Sequence, residues 1–142
     1  MSCVLKVKGD NFAVDEFLAG SSLEPIAIFR RGDPRLPASQ PEGPKLGASG
    51  FHLPASDADF SNLQAQIADA VRFLELHQSE LTRLAAFPGV ESVSLDFGIE
   101  EREVAAQSER FPPILLRMAG NLGIWLVFTL YPSQKPDIPT PD

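Results

Sequence analysis

The chain has 142 residues, of which 44% are hydrophobic and 22% are charged, so it can bury a core of ordinary size. Its formal net charge of −7 repels phosphate backbones and anionic lipid head groups. This charge argues against nucleic acid and membrane surfaces as partners and favours a basic protein. The single cysteine, Cys3, excludes an intrachain disulfide, and no signal-peptide pattern is present, so we expect a soluble, cytoplasmic protein.

The first elements are a strand, a short helix and a second strand. Residues 1–8 alternate between two faces, which predicts a strand. Asp10 or Asn11 is expected to cap the short helix that follows, and Gly20 is expected to end it. A second strand is predicted over residues 25–31.

The segment that runs from Gly32 to Ser49 is rich in proline and glycine and contains few large apolar residues. Long segments of this kind are often functional or disordered loops. We therefore expect an irregular loop here, followed by a short strand in which Phe51 and Leu53 point the same way.

A long amphipathic helix is predicted to begin near Asp59 or Ser61, since Ser61-x-x-Gln64 matches a capping box. Apolar residues then recur at intervals of three and four residues as far as Leu84. The flanking positions lack the opposite charges that pair coiled-coil helices. We expect this apolar stripe to pack within the chain, across a sheet.

The C-terminal part contains two further strands and a short helix. Residues 92–99 alternate strictly, which is typical of a half-buried strand. Pro112-Pro113 suits the first turn of a helix. Residues 124–131 are apolar on both faces, which favours a central strand that is covered on both sides. From Pro132 onward, the proline content predicts a disordered tail.

The predicted order is β-α-β-β-α-β-α-β. It indicates an α+β domain over residues 1–131, followed by a disordered tail over residues 132–142. We expect a single mixed, mainly antiparallel sheet of about five strands, with one long and two short helices packed on it.

Several short motifs resemble a known family. They are Gly9-Asp10-Asn11-Phe12, Phe29-Arg30-Arg31-Gly32, Leu122-Gly123-Ile124 and Tyr131-Pro132. Together with the long helix, they resemble a family of small bacterial proteins catalogued as a domain of unknown function, number 4279. The resemblance covers most of the chain, implies an α+β domain and supplies no catalytic residue. Similar small bacterial domains occur as immunity proteins against toxins, which implies that the chain binds a protein.

The only basic cluster consists of Arg30, Arg31, Arg35 and, further along, Lys45. Arginine offers bidentate donors, and the neighbouring glycine allows close backbone approach, so this cluster is a candidate site for a phosphate or carboxylate. The alternative is a solvated strand end whose arginines pair with nearby acidic residues.

An acidic cluster is predicted near the end of the alternating strand, at Asp96, Glu100, Glu101 and Glu103. Paired carboxylates can act as acid and base where their environments separate their pKa values. Exposed alternation favours instead a solvated patch that steers a basic partner toward the chain.

His52, His77 and Cys3 complete the candidates for chemistry. No metal-ligand spacing and no phosphate-binding glycine loop is present, so we predict no metal and no cofactor. We therefore favour a protein–protein interaction module over an enzyme, with an immunity-type inhibitor of a basic toxin as the leading form. A small-anion-binding domain is the alternative. A homodimer, paired through an edge strand or the long helix, also remains open.

Overall fold

The structure is a computed structural model that describes residues 1–133. In chain order its elements are β1 (Cys3–Gly9), α1 (Val14–Ala19), β2 (Ala27–Phe29), β3 (Pro34–Leu36), β4 (Gln40–Lys45), β5 (Ser49–Ser56), α2 (Leu63–Leu76), α3 (Gln78–Ala85), β6 (Ser92–Glu100), α4 (Pro113–Asn121) and β7 (Trp125–Tyr131).

Five strands form one mixed sheet in the order β2-β5-β1-β6-β7. The central strand β1 is antiparallel to β5 and to β6, and β2 is antiparallel to β5. Only the β6–β7 pair is parallel, because α4 carries the chain back before β7 begins. The predicted α+β class and the mixed, mainly antiparallel sheet are confirmed.

The helices cover one face of the sheet and leave the other face uncovered. On β1 and β6, every second side chain points toward the helices and is buried, and on β5 Phe51 and Leu53 do the same. Together with the apolar sides of the helices these residues form the core: Cys3, Leu5, Val7, Phe12, Val14, Phe17, Leu23, Phe51, Leu53, Leu63, Ile67, Ala70, Leu74, Leu81, Leu84, Val93, Leu95, Phe97, Ile99, Leu115, Ala119 and Ile124. The uncovered face carries the alternate, mostly polar residues of the same strands.

The long helix is divided into α2 and α3 at His77, which ends the first and precedes the second. Its cap is Asn62, whose side-chain oxygen accepts a hydrogen bond from the Ala65 amide at 3.1 Å. The predicted capping box is therefore wrong, because Ser61 is bonded to Asp59 in the preceding turn. The apolar stripe lies in the core, as predicted.

The start of α1 differs from its prediction. The helix begins at Val14, after Ala13, and no side chain caps it, so the predicted Asp10 or Asn11 cap is wrong. The Asp10 amide instead donates to the Glu91 carboxylate at 3.1 Å. Gly20 ends the helix as predicted.

The segment from Gly32 to Ser49 contains a β-hairpin, so the prediction of an irregular loop is wrong for β3 and β4. The two strands pair antiparallel, with Pro34 opposite Lys45. Gly32 has φ of 90°, a left-handed conformation that glycine adopts without strain, and it turns the chain into the hairpin. Prolines are tolerated here because a two-stranded ribbon leaves many of its amides facing solvent.

The final strand, β7, lies at the edge of the sheet and not at its centre. Its apolar residues on both faces suggested a strand covered on both sides, and that prediction is wrong. Within the described residues, α4 returns the chain only to the outer side of β6, and no later strand follows.

None of the helices in the described part of the chain is long and apolar enough to cross a membrane. Pro132 and Ser133 belong to neither helix nor strand, and the rest of the predicted disordered tail, residues 134–142, lies outside the described residues.

Candidate functional site

The first two arginines of the basic cluster, Arg30 and Arg31, are bonded to nearby parts of the chain. Arg30 follows β2 and donates from Nε and Nη2 to the two carboxylate oxygens of Asp15 on α1, at 2.8 and 2.6 Å. This bidentate bond lowers the pKa of Asp15 and raises the pKa of Arg30. Arg31 lies near the turn before α1, where its Nη1 donates to Asn11 Oδ1 at 3.2 Å. Two of the three predicted guanidinium groups are therefore already occupied.

The other two basic residues lie on the β3–β4 hairpin. Arg35 is exposed on β3. Lys45 is exposed on β4, and its Nζ donates to the backbone oxygen of Pro41 at 3.0 Å. This arrangement fits the alternative of solvated and locally paired cations, and the anion site stays a prediction.

The acidic cluster is divided between two environments. Asp96 lies on the uncovered face, where its carboxylate accepts from Lys6 Nζ at 2.8 Å and from Thr129 Oγ1 at 2.7 Å. Its side chain is only 13% exposed, so it forms part of the sheet and not of a solvated patch. Glu100 is half-buried, and Glu101 and Glu103 are exposed in the loop that follows β6. Because Glu100 lies opposite Tyr131 in the sheet, the loop that follows begins beside the end of β7.

His52 lies on the uncovered face, directly opposite Lys6 on β1. Its ring makes an edge contact with Phe29 on β2, with 5.6 Å between the ring centroids. Burial, and secondarily the positive charge of Lys6, lower the pKa of His52 below its ordinary value of 6.5. Both effects favour the neutral form of the imidazole.

His77 and Cys3 have structural surroundings. The His77 ring packs against Phe73 one turn earlier, with 4.8 Å between centroids. Cys3 is fully buried in the core, where burial, together with the charges of Asp96 and Asp69, raises the pKa of its thiol to about 12. A thiol held protonated at neutral pH is a poor nucleophile, as the sequence indicated.

A shallow groove of about 480 Å³ runs across the uncovered face. Lys6, Lys8 and His52 contribute to its lining, with Phe29 toward the β2 edge and Trp125 toward the β7 edge. Its lining is polar in the middle and aromatic at both ends. Among residues 1–133, no group of three or more His, Cys, Asp or Glu side chains is arranged to hold a metal ion.

The most distinctive surface is the β7 margin, which we define as β7 together with the exposed α4 residues Ile114 and Leu116. Five of the seven side chains of β7 are exposed. Trp125 is 70% exposed, Phe128 60%, Leu130 53% and Tyr131 47%. Isolated exposed apolar residues are common, but a group of them on one edge strand marks an interaction surface.

The β7 margin is joined to the core by aromatic contacts. Buried Phe97 meets Phe111 with 5.4 Å between centroids, and Phe111 meets exposed Phe128 at 6.2 Å. Beside this chain of rings, Leu116, Leu126 and neighbouring glycines line a depression of about 480 Å³ between α4 and β7. The margin thus presents both projecting rings and a recess.

Sequence reasoning did not identify the β7 margin. A strand that is apolar on both faces has the same pattern whether it is central or lies at an exposed edge. The available signal is the order of elements, because β7 is the last predicted strand and follows a short helix.

Comparisons of the chain with models of protein families, with curated proteins and with solved structures found no match. The resemblance to the bacterial family of unknown function therefore stays a prediction.

Proposed function

We propose that this chain is a protein-interaction module that binds its partner through the β7 margin. The observation that carries the proposal is the exposure of aromatic side chains on both faces of one edge strand, with Phe128 on the helix side and Trp125 and Tyr131 on the uncovered side. Aromatic side chains dominate binding hot spots because they bury a large rigid area at low entropic cost. When a second protein displaces water from an uncharged surface of this kind, the free energy of the system falls.

The acidic residues support the same surface. The Glu101 amide donates to the Tyr131 carbonyl oxygen at 2.7 Å, so the loop that carries Glu101 and Glu103 begins at the end of β7. A charged rim beside an apolar centre raises the association rate and selects partners by charge. The rim favours a partner with basic residues around its contact surface.

The proposed compartment is the cytoplasm. The only cysteine of the chain is buried as a free thiol, and nothing in its surroundings requires an oxidising environment.

The test uses matched baits from host lysate. Phe128→Lys places a charge in the β7 margin, whereas Leu36→Lys places the same charge at a similarly exposed apolar position on β3. We expect the Phe128→Lys bait to lose the partner that the unaltered chain and Leu36→Lys both capture, and circular dichroism confirms that each bait is folded. The proposal is wrong if folded Phe128→Lys captures the same partner in the same yield.

A further inference from the structure

The outer edge of β7 has none of the features that normally protect an edge strand. Over its seven residues it has no charged side chain and no proline, and its register with β6 runs without a bulge. Within residues 1–133 no strand pairs with this edge. Its outward amide and carbonyl groups therefore form a template for another strand.

We propose that this edge pairs with β7 of a second copy of the chain, in antiparallel orientation about a twofold axis. The inference rests on the proposed function for its surface, the β7 margin. It makes a second copy the occupant of that surface in place of a basic partner, and it does not use the acidic rim. Two five-stranded sheets then join into one continuous sheet of ten strands. A twofold interface presents the same surface from both copies, so the strand must be complementary to itself.

The geometry of an antiparallel pair tests that self-complementarity. A twofold axis perpendicular to the sheet keeps the helices of both copies on the same side, so residues on one face meet residues on the same face. Phe128 is the middle residue of β7, so the seven strand residues of the two copies overlap completely only when the axis passes through it. Each copy of Phe128 then lies opposite the other.

This register places side chains of similar chemistry opposite each other. On the helix side, Phe128 faces its equivalent, and Leu126 faces Leu130 of the second copy. On the uncovered side, Trp125 faces Tyr131 of the second copy, and Val127 faces Thr129 of the second copy. Aromatic, aliphatic and β-branched pairs of this kind are those that stabilise neighbouring antiparallel strands.

The pairing has no electrostatic penalty within the strand and provides substantial contact area. The net charge of −7 lies outside β7, so no like charges are placed opposite each other in the joined strands. The exposed parts of Trp125, Phe128 and Tyr131 alone offer roughly 350 Å² per copy, at about 200 Å² for a whole aromatic side chain. Val127, Leu130 and exposed α4 residues extend this area toward the roughly 800 Å² per partner of a standard interface.

The recess beside α4 adds a second point of fit. Leu126 lines that depression together with Leu116, and Leu130 of the second copy lies opposite Leu126 in the proposed register. An aliphatic side chain brought to the mouth of an apolar recess can fill it and exclude water.

The first measurement is the mass of the full chain by sedimentation velocity over about a hundredfold range of concentration, because association follows mass action. We expect a dimer that dissociates on dilution. Trp125 is the only tryptophan, so its emission reports this interface directly. We expect the emission to shift to shorter wavelength as the dimer forms, because Trp125 leaves water. A monomer at every concentration overturns the inference.

The decisive variants are Phe128→Lys and Phe128→Glu. At the twofold axis each places two like charges opposite each other, so we expect each variant alone to dimerise at least about tenfold more weakly than the unaltered chain. An equimolar mixture places lysine opposite glutamate, and we expect its dimer to recover. Recovery on mixing also shows that both variants are folded. A dimer that persists in both single variants overturns the inference.

The outcome separates this inference from the proposed function. A monomeric chain that still loses a lysate partner on Phe128→Lys overturns the second copy as occupant and leaves the β7 margin as the binding surface. A monomeric chain that loses no partner on Phe128→Lys overturns both.

Discussion

The two edges of the sheet are built differently. β2 has three residues, follows Pro25, and leads into Arg30, which is ion-paired to Asp15 on α1. β7 has seven residues, carries no charge and leaves most of its side chains exposed. Very short length prevents unwanted pairing of an edge strand. Proline and charge next to a strand do not separate the two edges, since Pro132 and Glu101 adjoin the end of β7. The protein protects one edge and leaves the other available.

This difference identifies where binding belongs. If both edges were unprotected, the sheet could extend in two directions and produce open-ended polymers. With only β7 available, pairing with a second copy closes after two chains.

The largest expected loss of stability comes from substituting the glycines that lie beneath the aromatic residues at each edge. Phe29 of β2 packs over Gly50 of β5, and Phe60, which contacts Tyr131 of β7, packs over Gly98 of β6. A methyl group at Gly50 would meet the backbone oxygen of Val7, which cannot move without displacing β1. We expect Gly50→Ala to lower the free energy of unfolding by about 2–4 kcal/mol.

Gly98→Ala is the matched variant at the other edge. Its methyl group would meet the Phe60 ring, a side chain that can turn away, and lies 3.1 Å from the Ser2 carbonyl oxygen. We expect a smaller loss, about 1–2 kcal/mol, measured by urea unfolding. An equal or larger loss for Gly98→Ala would show that the β7 side is held as rigidly as the β2 side.

A second test uses pH, because the β2 side of the uncovered face contains His52 and β7 contains no histidine. The pKa of His52 lies below its ordinary value of 6.5. The unfolded chain therefore binds the proton more tightly. The stability that His52 contributes is present above pH 6.5, begins to fall below that pH, and is lost below the folded-state pKa.

We expect unfolding free energies measured between about pH 5 and pH 8, the range in which histidine titrates, to fall less steeply with decreasing pH in His52→Gln. His77→Gln serves as the control, because it replaces the other histidine of the chain. Dimerisation through β7 should not follow the His52 titration. Association that weakens in step with it would place the interface beside His52 on β5 and not at β7.

The smallest expected effect is at the ion pair beside β2. The hydrogen bond from Arg30 lowers the pKa of Asp15 below its ordinary value of 3.8. The stabilisation is therefore present above pH 3.8 and is lost as the pH falls through the folded-state pKa. Both side chains are well exposed, so we expect Asp15→Asn to change stability at pH 7 only slightly.

The measurement is thermal unfolding at pH 7 and below pH 3.8, with Glu42→Gln on the exposed strand β4 as the control. A large loss at pH 7 for Asp15→Asn alone would mean that Arg30 holds β2 in place and does not merely protect its edge.

Local patterns predicted most of the elements. The alternation in β1 and β6, the apolar stripe of α2 and α3, and the proline at the start of α4 each act over a few neighbouring residues, where the period of burial is set by the geometry of one strand or helix. The α+β class followed from their order. The hairpin was missed because its prolines oppose strand formation locally, and only pairing between β3 and β4 compensates.

Less of the candidate site than of the fold could be predicted from the sequence. The sequence shows the basic and acidic clusters. The ion-pair partners of their residues, such as Asp15 for Arg30 and Lys6 for Asp96, are distant in the chain. Such pairs depend on strand order, which no local pattern contains.

The sequence by itself determined the periodicity of each element, the acidic charge and the burial of Cys3, since these follow from residue types and their spacing. Only the tertiary structure decided that β7 lies at an edge. A strand that is apolar on both faces can be covered by its own chain or by a partner, and the choice depends on whether the rest of the chain reaches it. In the described residues the chain does not reach the outer side of β7, and that edge remains free.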